Sequence, residues 1–491
     1  MLGLGSGAIA PMSIPQDLLE ELARIVGPDG LAHGSAELMV YECDGYTLER
    51  SRPELVVLPG SSEEVAAVVS ALHRRDIRFV PRGAGTGLSG GCLPVGAPVM
   101  IGMSRMTRIL DVDVENRTAR VEAGVVNRDV SSRVAAHGLY YAPDPSSQSA
   151  CTIGGNVAEN SGGPHTLKYG VTTNHVLSME LVLADGTVVE LGGACDDAPG
   201  YDLRGVAIGA EGTFGLVTEA TLRLLPLPEG CQTMLAIFDR VDDASAAVSG
   251  IIAAGIVPAA LEMMDNLMVG AVEAAYHFGF PKDAEAVLII EIDGLRAGFG
   301  RQTERIVSIC RTHGARGVRV AADEAERALL WKSRKRAFGA VGRLAPNYCT
   351  QDGVVPRTKV PDILRIIRRV GEEHGLRVAN VLHAGDGNIH PILLFDERDK
   401  EQIGRVLKSS DEILSKCIEL GGSVTGEHGI GVEKISFMNR LFSEDDLAVM
   451  SQIRMAFNPD GRCSPRKMLP VAGACGTEEI ERSHPGKQAH A

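Results

Sequence analysis

Short apolar runs and one amphipathic helix open the N-terminal half of the chain. The run at 55–58 is followed by a capping box of Ser61 and Glu64, which starts a helix with one apolar face. A second apolar run follows at 77–80. This order of run, helix and run predicts a βαβ unit that delivers the chain to a glycine-rich segment.

A hairpin and a boundary follow further along the chain. Two apolar runs within 177–191 lie on either side of Asp185 and Gly186, a pair typical of a two-residue hairpin turn. Pro226 and Pro228 then interrupt the pattern. We therefore predict that a first folded unit ends near residue 230.

Beyond this boundary, strands alternate with longer helices. The predicted strands are at 234–238, 287–292, 377–382 and 389–395. The predicted helices are at 242–254, 298–313, 323–343, 360–374, 398–420 and 445–456. The alternation predicts an α+β domain, a sheet with helices on one face, that ends in a small helical segment.

Length and composition support more than one domain. The chain has 491 residues, of which 44% are hydrophobic and 23% charged, enough for two or three ordinary cores. The pattern divides it into an N-terminal segment at 1–48, a first domain at 49–230, a substrate-binding or cap domain at 231–470 and a flexible tail at 471–491.

Charge and cysteine content exclude several classes of protein. A net charge of −14 and an aromatic content of 4% argue against a protein that binds nucleic acids or anionic membranes in general. The ten cysteines include no C-x-x-C pair, which excludes a recognisable zinc ribbon or iron–sulfur motif and is typical of a reducing compartment. No apolar run spans a membrane and no targeting segment is recognisable. We expect a cytoplasmic protein.

The first of three glycine-rich segments contains a dinucleotide fingerprint. Gly85, Gly87 and Gly90 match G-x-G-x-x-G, which opens a helix in nicotinamide-binding folds. Pro94 and Pro98 stand where the interior of that helix would lie, so the nicotinamide-linked class is disfavoured. Successive glycine amides still form a nest that binds phosphate. The alternative is a flexible turn.

Two further segments are also rich in glycine. Residues 152–163 hold two glycine pairs separated by Asn, Asn and Ser, and a Pro-Asp-Pro-Ser-Ser stretch precedes them at 143–147. Residues 209–218 repeat the dense glycine pattern. Such backbone approaches a flat ligand closely, while amide and hydroxyl side chains hydrogen-bond it.

These segments, in this order and spacing, resemble the FAD-binding domain of vanillyl-alcohol-oxidase-type flavoproteins over residues 50–228. The resemblance implies two small α+β subdomains around an extended FAD, so that the first domain at 49–230 would be FAD-binding. Members with a covalent flavin carry a histidine where this chain has Thr86. Non-covalent FAD is therefore expected.

The resemblance also implies which residues contact the cofactor. For the pyrophosphate it implies Arg82, Gly83, Ala84, Gly85, Thr86, Gly87, Ser89 and Gly90. For the flavin ring and ribityl chain it implies Pro143, Asp144, Ser146, Ser147, Thr152, Gly154, Gly155, Asn156, Ala158, Asn160, Ser161 and Gly162. For the adenine side it implies Glu211, Gly212 and Val217.

The second domain carries a candidate metal centre. His383 and His390 stand seven residues apart across a glycine turn, and Glu427 and His428 lie in another glycine loop. Two imidazoles and a carboxylate are a standard ligand set for a divalent metal such as Zn or Mn, so His383, His390 and Glu427 are candidate ligands. His428 is a candidate base. The alternative is that each histidine is a hydrogen-bonded structural group.

Three motifs of this half, at 383–390, 425–431 and 457–461, resemble the C-terminal domain of FAD-linked 2-hydroxyacid dehydrogenases, which include D-lactate, D-2-hydroxyglutarate and glycolate enzymes. The stretch at 331–338 is most similar to the glycolate-oxidising members. The resemblance implies oxidation of a 2-hydroxyacid to the 2-oxoacid with hydride transfer to FAD. It adds Asn458 to the cofactor-binding residues.

Arg334 is the candidate substrate clamp. A guanidinium presents paired donors that match the carboxylate of a 2-hydroxyacid. The alternative is a solvated basic helix face, which is our interpretation of Lys332, Lys335 and Arg336.

Ile392 and the missing cysteine cluster bear on substrate and partners. Enzymes for 2-hydroxyglutarate commonly carry Asn two residues after the second histidine, where this chain has Ile392, so glycolate or D-lactate is favoured. D-2-hydroxyglutarate oxidation and a flavin-free metallohydrolase remain alternatives.

Electrons would pass to a quinone, an electron-transfer flavoprotein, or iron–sulfur and second flavin-fold subunits. The resemblance implies such partners at the inner membrane face.

Overall fold

The computed structural model describes residues 14–195 and 199–470. The predicted tail at 471–491 lies outside the described residues. Within the described part, no helix combines the length and the apolar character needed to cross a membrane.

A small sheet forms the beginning of the N-terminal half. Its strands are β1 (Leu31–Ala32), β2 (Leu55–Val57), β3 (Phe79–Arg82) and β4 (Val99–Gly102), in the order β1-β2-β4-β3. The helices of this region are α1 (Gln16–Val26), α2 (Ser35–Leu38) and α3 (Ser62–His73). The predicted βαβ unit is confirmed, since β2 and β3 both pair in parallel with β4 and the Ser61 hydroxyl caps α3 by accepting from the Glu64 amide.

An antiparallel sheet completes the N-terminal half. Its strands are β5 (Ile109–Asp113), β6 (Thr118–Glu122), β8 (Val176–Leu183), β9 (Val188–Gly192) and β10 (Gly215–Arg223), in the order β5-β6-β10-β8-β9, and β7 (Leu139–Tyr140) pairs with β11 (Leu225–Pro226) beside it. The helices are α4 (Asn127–Val134), α5 (Ile153–Glu159), α6 (Thr166–Tyr169) and α7 (Leu203–Ala207). The predicted hairpin at Asp185 and Gly186 is confirmed as the β8-β9 connection.

One large sheet organises the second half. Its strands are β12 (Gly230–Phe238), β13 (Ala260–Asp265), β14 (Ala286–Gly294), β15 (Ala315–Val320), β16 (Asn347–Thr350), β17 (Gly353–Val354), β18 (Arg377–His383) and β19 (Asn388–Phe395). The order is β15-β12-β14-β13-β18-β19-β16, and β17 also pairs with β19. The helices are α8 (Val241–Ala253), α9 (Asn266–Tyr276), α10 (Phe299–Thr312), α11 (Glu324–Lys335), α12 (Ala337–Val341), α13 (Val360–Glu373), α14 (Lys400–Glu419), α15 (Ile435–Leu441) and α16 (Glu444–Phe457).

Helices cover both faces of this sheet, so the expectation of helices on one face was wrong. In β14, Leu288 and Ile290 belong to the cluster that contains the buried faces of α8, α10 and α13. Val287 and Ile289 belong to the opposite cluster, which contains residues of α9 and α12. The physical reason lies in the strand itself, because a continuous apolar run is buried on both sides.

The last described residues return to the N-terminal half. Cys463 forms a parallel bridge with Phe79, at the free edge of the first sheet. The buried Lys467 Nζ donates to the carbonyls of Gly91 and Leu93, at 2.5 Å each. The C-terminal segment, assigned to the second domain from the sequence, therefore ends in contact with the first folded unit.

Candidate active site

The β18-β19 hairpin and the loop after α14 bring the predicted metal ligands together. His383 ends β18 and His390 lies in β19. Glu427 Oε1 is 3.2 Å from His383 Nε2 and 3.3 Å from His390 Nε2. The donor atoms of all three lie within 4.8 Å of one another, as a shared metal ion requires.

A buried carboxylate that the sequence reasoning missed holds one of these histidines. Glu262, in β13, places Oε1 2.6 Å from His383 Nδ1 and is 1% exposed. Burial alone would lower the pKa of His383, but Glu262 and Glu427 outweigh it and raise this pKa to about 10. A carboxylate on the far nitrogen of a ligand histidine fixes the ring and its tautomer. Glu262 thus orients His383 Nε2 toward Glu427.

Arg334 lies at the same carboxylate. Its Nε donates to Glu262 Oε2 at 2.6 Å, and the residue is 2% exposed. Burial alone would raise the pKa of Glu262, but the His383 and Arg334 charges outweigh it and hold that pKa below its ordinary value. Arg334 Nη2 is buried without a partner among the described residues. The solvated-face alternative therefore fails for Arg334.

His428 stacks on His390, with ring centroids 5.1 Å apart and 10° between the planes. Its Nδ1 is buried without a hydrogen bond among the described residues. Burial lowers the pKa of His428 to about 4, because the opposing attraction of Asp352 is too weak to restore it. The imidazole is therefore neutral, which is the form that accepts a proton.

Asp352 is a second carboxylate that the sequence reasoning did not assign. Its Oδ2 accepts from the Thr425 hydroxyl at 2.7 Å and from the amides of Gly426, Glu427 and His428 at 2.8, 3.1 and 2.9 Å. Burial raises its pKa, but the neighbouring His428, Lys434 and His390 groups, which attract the carboxylate when protonated, outweigh burial and hold the pKa far below its usual range. One buried anion thus shapes the turn that presents Glu427 and His428.

Replacing Asp352 with asparagine is expected to lower the free energy of unfolding by about 1–3 kcal/mol. The neutral amide can keep an oxygen toward the four donors, but it removes the negative charge that strengthens those hydrogen bonds and that lies 3.8 Å from the buried Lys434 Nζ. Urea denaturation followed by circular dichroism measures the change. The matched control is Asp411→Asn, whose carboxylate is 50% exposed and pairs with Arg440 at the surface. Equal midpoints for the two variants would contradict this role of Asp352.

The first glycine segment offers a cradle for phosphate. None of the backbone amides from Gly83 to Ser89 donates a hydrogen bond to another residue of the described chain. Gly85 and Gly90 have φ of 69° and 77°, the left-handed region that favours glycine. A Cβ at Gly83 would lie 2.6 Å from Thr152 Oγ1, so the segment packs closely on the second glycine segment. Free amides in succession fit the pyrophosphate of FAD.

The second glycine segment is a short helix rather than a loop. Thr152 caps α5 by accepting from the Gly155 amide at 3.3 Å. The Asn156 side chain accepts from Asn127 Nδ2 at Oδ1 and donates from Nδ2 to the Ser161 hydroxyl. Asn160 Oδ1 accepts from the backbone N–H of Thr173. These asparagine side chains therefore hold the local structure, and their contact with FAD stays a prediction.

The same segment reaches the metal ligands. A Cβ at Gly162 would lie 3.3 Å from Glu427 Oε2. The predicted flavin-ring residues and the predicted metal site are therefore neighbours across the contact between the two halves.

Two residues assigned to the cofactor serve the protein's own contacts. Glu211 accepts from the amides of Ile430 and Gly431, at 2.7 and 2.6 Å, and so ties the third glycine segment to the Glu427 loop. Asn458 Nδ2 donates to the Thr213 carbonyl at 2.8 Å. Val217 is partly buried in β10. Contact of these residues with FAD stays a prediction.

Comparison with known proteins decides the family. The chain is 47% identical over 457 residues to the glycolate oxidase subunit GlcD of Escherichia coli strain K12, covering 92% of each chain. It is 33% identical to a D-lactate dehydrogenase of Archaeoglobus fulgidus, over 84% of this chain and 91% of that one. Residues 53–192 match the family "FAD binding domain", and residues 227–468 match "FAD linked oxidases, C-terminal domain". The chain belongs to the FAD-linked oxidases.

Solved structures agree on the fold of this FAD-linked oxidase. The 4-ethylphenol oxidase of Gulosibacter chungangensis is 18% identical and superposes with a TM-score of 0.75, covering 93% of this chain and 98% of that one. A p-cresol methylhydroxylase superposes equally well. The predicted FAD-binding fold, the family and the flavoenzyme class are confirmed.

Proposed function

We propose that this FAD-linked oxidase oxidises a small 2-hydroxyacid, glycolate or D-lactate, to the 2-oxoacid, and that its FAD is non-covalent. The observation that carries the proposal is the convergence of His383, His390 and Glu427 beside Arg334 and His428. These groups lie against the second glycine segment, where the flavin ring is expected. Relatives named glycolate oxidase subunit and D-lactate dehydrogenase support the same substrate class.

The ligand set fits a divalent ion such as Zn or Mn. It joins two imidazoles and a carboxylate, and Glu262 occupies the far nitrogen of His383, as a carboxylate does behind many metal-bound histidines. When bound, the ion supplies a Lewis acid for the C2 hydroxyl and FAD supplies the two-electron acceptor. His383, His390 and Glu427 would hold the ion.

The chain's own side chains would orient the substrate and move the proton. Arg334 binds the carboxylate through its terminal nitrogens, which fixes C2 relative to the flavin ring. His428 accepts the proton of the C2 hydroxyl at its ring nitrogen. The buried walls around Arg334 and His383 exclude water, which strengthens both interactions.

Ile392 supports the choice of a small substrate. It is fully buried in β19, two residues after His390, and belongs to an apolar cluster with Ala379 and Val381. An apolar side chain there offers no partner to a second carboxylate. Desolvating that carboxylate without a partner would disfavour a dicarboxylic substrate such as 2-hydroxyglutarate.

The test is anaerobic addition of glycolate, D-lactate or D-2-hydroxyglutarate to the purified, flavin-loaded protein. Loss of the visible flavin absorbance with glycolate or D-lactate is the expected result. If no 2-hydroxyacid reduces the flavin of a protein that holds both metal and FAD, the proposal is wrong. Metal without any flavin absorbance would favour the metallohydrolase instead.

Removal of the metal by a chelator is expected to abolish reduction by the 2-hydroxyacid while the flavin spectrum persists, because the metal ligands and the glycine segments are different groups. Stopped-flow absorbance measures the reduction. Dithionite serves as the control, since it reduces flavin without the substrate site. Undiminished reduction by substrate after the metal content has fallen to background would contradict the metal's role.

We propose further that the electrons leave through a separate partner, either a quinone, an electron-transfer flavoprotein, or iron–sulfur and second flavin-fold subunits. The support is the absence of a C-x-x-C motif from the sequence, so that the chain has no recognisable cluster motif of its own. Pull-down of the tagged protein followed by iron and flavin analysis tests for such subunits.

A further inference from the structure

The segment after Gly163 crosses from the N-terminal half to the second domain. Lys168 Nζ donates to the Asp293 carbonyl at 3.0 Å, and Tyr169 Oη donates to Asp293 Oδ2 at 2.5 Å. Leu167 packs closely on Gly385, since a Cβ added at Gly385 would lie only 2.6 Å from Leu167 Cδ2. This segment therefore contacts both the end of β14 and the turn between β18 and β19.

His165 lies at the start of the segment, between groups from both halves. Its Nδ1 is 2.9 Å from Asp144 Oδ2, on the stretch predicted to line the flavin ring. Its Nε2 is 3.5 Å from Glu291 Oε1, in β14 of the second domain. Its ring stacks on Trp331 of α11, with centroids 5.2 Å apart and 29° between the planes.

Helix α11 is held to the sheet by two buried carboxylates. Arg327, Trp331 and Arg334 follow the spacing i, i+4 and i+7, so they share one face of the helix. Glu291 Oε2 accepts from Arg327 Nε at 2.9 Å and from Trp331 Nε1 at 2.6 Å. Glu262 accepts from Arg334. His165 therefore contacts the carboxylate and the indole that place the helix carrying Arg334.

We propose that His165 is a positioning residue that couples Asp144, on the flavin side, to helix α11 and so sets where Arg334 holds the substrate carboxylate. The inference rests on the proposed function, which gives Arg334 its substrate. His165 touches neither the reacting atoms nor the metal ligands in this arrangement. It acts through Glu291 and Trp331.

The charge of His165 supports this coupling. Burial disfavours the imidazolium, but the carboxylates of Asp144 and Glu291 outweigh burial and raise the pKa of His165 to about 10. Burial would likewise raise the pKa of Glu291, yet His165 and Arg327 hold it at about 2. A cation between two carboxylates therefore joins the halves at neutral pH.

The experiment compares His165→Ala with His165→Arg, which keeps a planar cation able to stack on the indole. Flavin reduction by the active 2-hydroxyacid is followed over a range of substrate concentrations. His165→Ala is expected to raise the half-saturating concentration and to slow the limiting rate by roughly 10-fold to 10²-fold, because misplaced substrate reacts slowly. His165→Arg is expected to recover most of both. Lys168→Ala, which removes another contact of the same segment, is the matched control and should alter neither.

A second readout does not depend on catalysis. Trp331 is the only tryptophan in the sequence, so protein emission reports on the group stacked against it. Loss of the quenching imidazolium in His165→Ala should brighten that emission at equal flavin content, whereas Lys168→Ala should leave it unchanged.

The outcomes separate the two proposals. Wild-type kinetics in His165→Ala would overturn the positioning role even though the enzyme works, and so would a defect that arginine does not repair. If Trp331 emits more brightly in His165→Ala but no 2-hydroxyacid reduces the flavin of the wild-type protein, the contact is upheld. Both the proposed function and this role for His165 are then overturned. Unchanged emission in His165→Ala would overturn the contact itself.

Discussion

Replacing His428 with alanine is expected to slow the reduction of the flavin by substrate about 10²–10⁴-fold, the usual contribution of a positioned general base. The imidazole is neutral, stacked on His390 and free of a hydrogen bond at Nδ1 within the described chain, so it can take the proton. Stopped-flow absorbance under anaerobic conditions measures the rate.

Two further measurements make that result specific. The flavin spectrum of His428→Ala should match the wild type, and an ion held by His383, His390 and Glu427 should remain bound, because the His428 side chain is not a member of that set. His137→Ala, at an exposed position of the N-terminal half, is the control and should react normally. A rate within tenfold of the wild type would remove His428 from the role of base.

Replacing Glu262 with glutamine is expected to lower the free energy of unfolding by about 3–5 kcal/mol, because the buried Arg334 loses its compensating charge. The same change should weaken metal binding by about 10-fold to 10²-fold, since His383 loses the carboxylate that orients it. Denaturant unfolding measures the first effect and metal titration of the chelated protein measures the second.

Glu419→Gln is the control for Glu262, because this carboxylate is 59% exposed and pairs with Lys416 within one helix. Surface pairs of this kind contribute about 0–1 kcal/mol. A Glu262→Gln protein as stable as Glu419→Gln would show that the Arg334 charge is compensated elsewhere. Unchanged metal affinity would remove Glu262 from the support of His383.

Sequence reasoning found the candidate groups that stand in or beside glycine-rich turns. His383, His390, Glu427 and His428 are conspicuous because loops rarely combine such side chains with so many glycines. Their meeting point also follows from topology, since a hairpin turn places the two histidines on one face of adjacent strands. That face and the Glu427 loop come together as expected.

The supporting carboxylates were harder to find because their function comes from burial. Glu262 interrupts the apolar run Ala-Leu-Glu-Met-Met, and a lone charge in a buried strand was the available signal. Asp352 resembles any turn residue in the sequence, and only the folded chain brings three amides of a loop more than seventy residues away to its oxygen. Long-range pairing of this kind has no local pattern.

Cys463 and Lys467 contact the N-terminal half of the protein but are translated long after it. A ribosome adding about 5–20 residues per second needs roughly 20–80 s to travel from Phe79 to the residues that complete its sheet edge. During that time the first glycine segment lacks the two contacts from Lys467. The cradle predicted for FAD therefore gains these contacts only after the second domain has been translated.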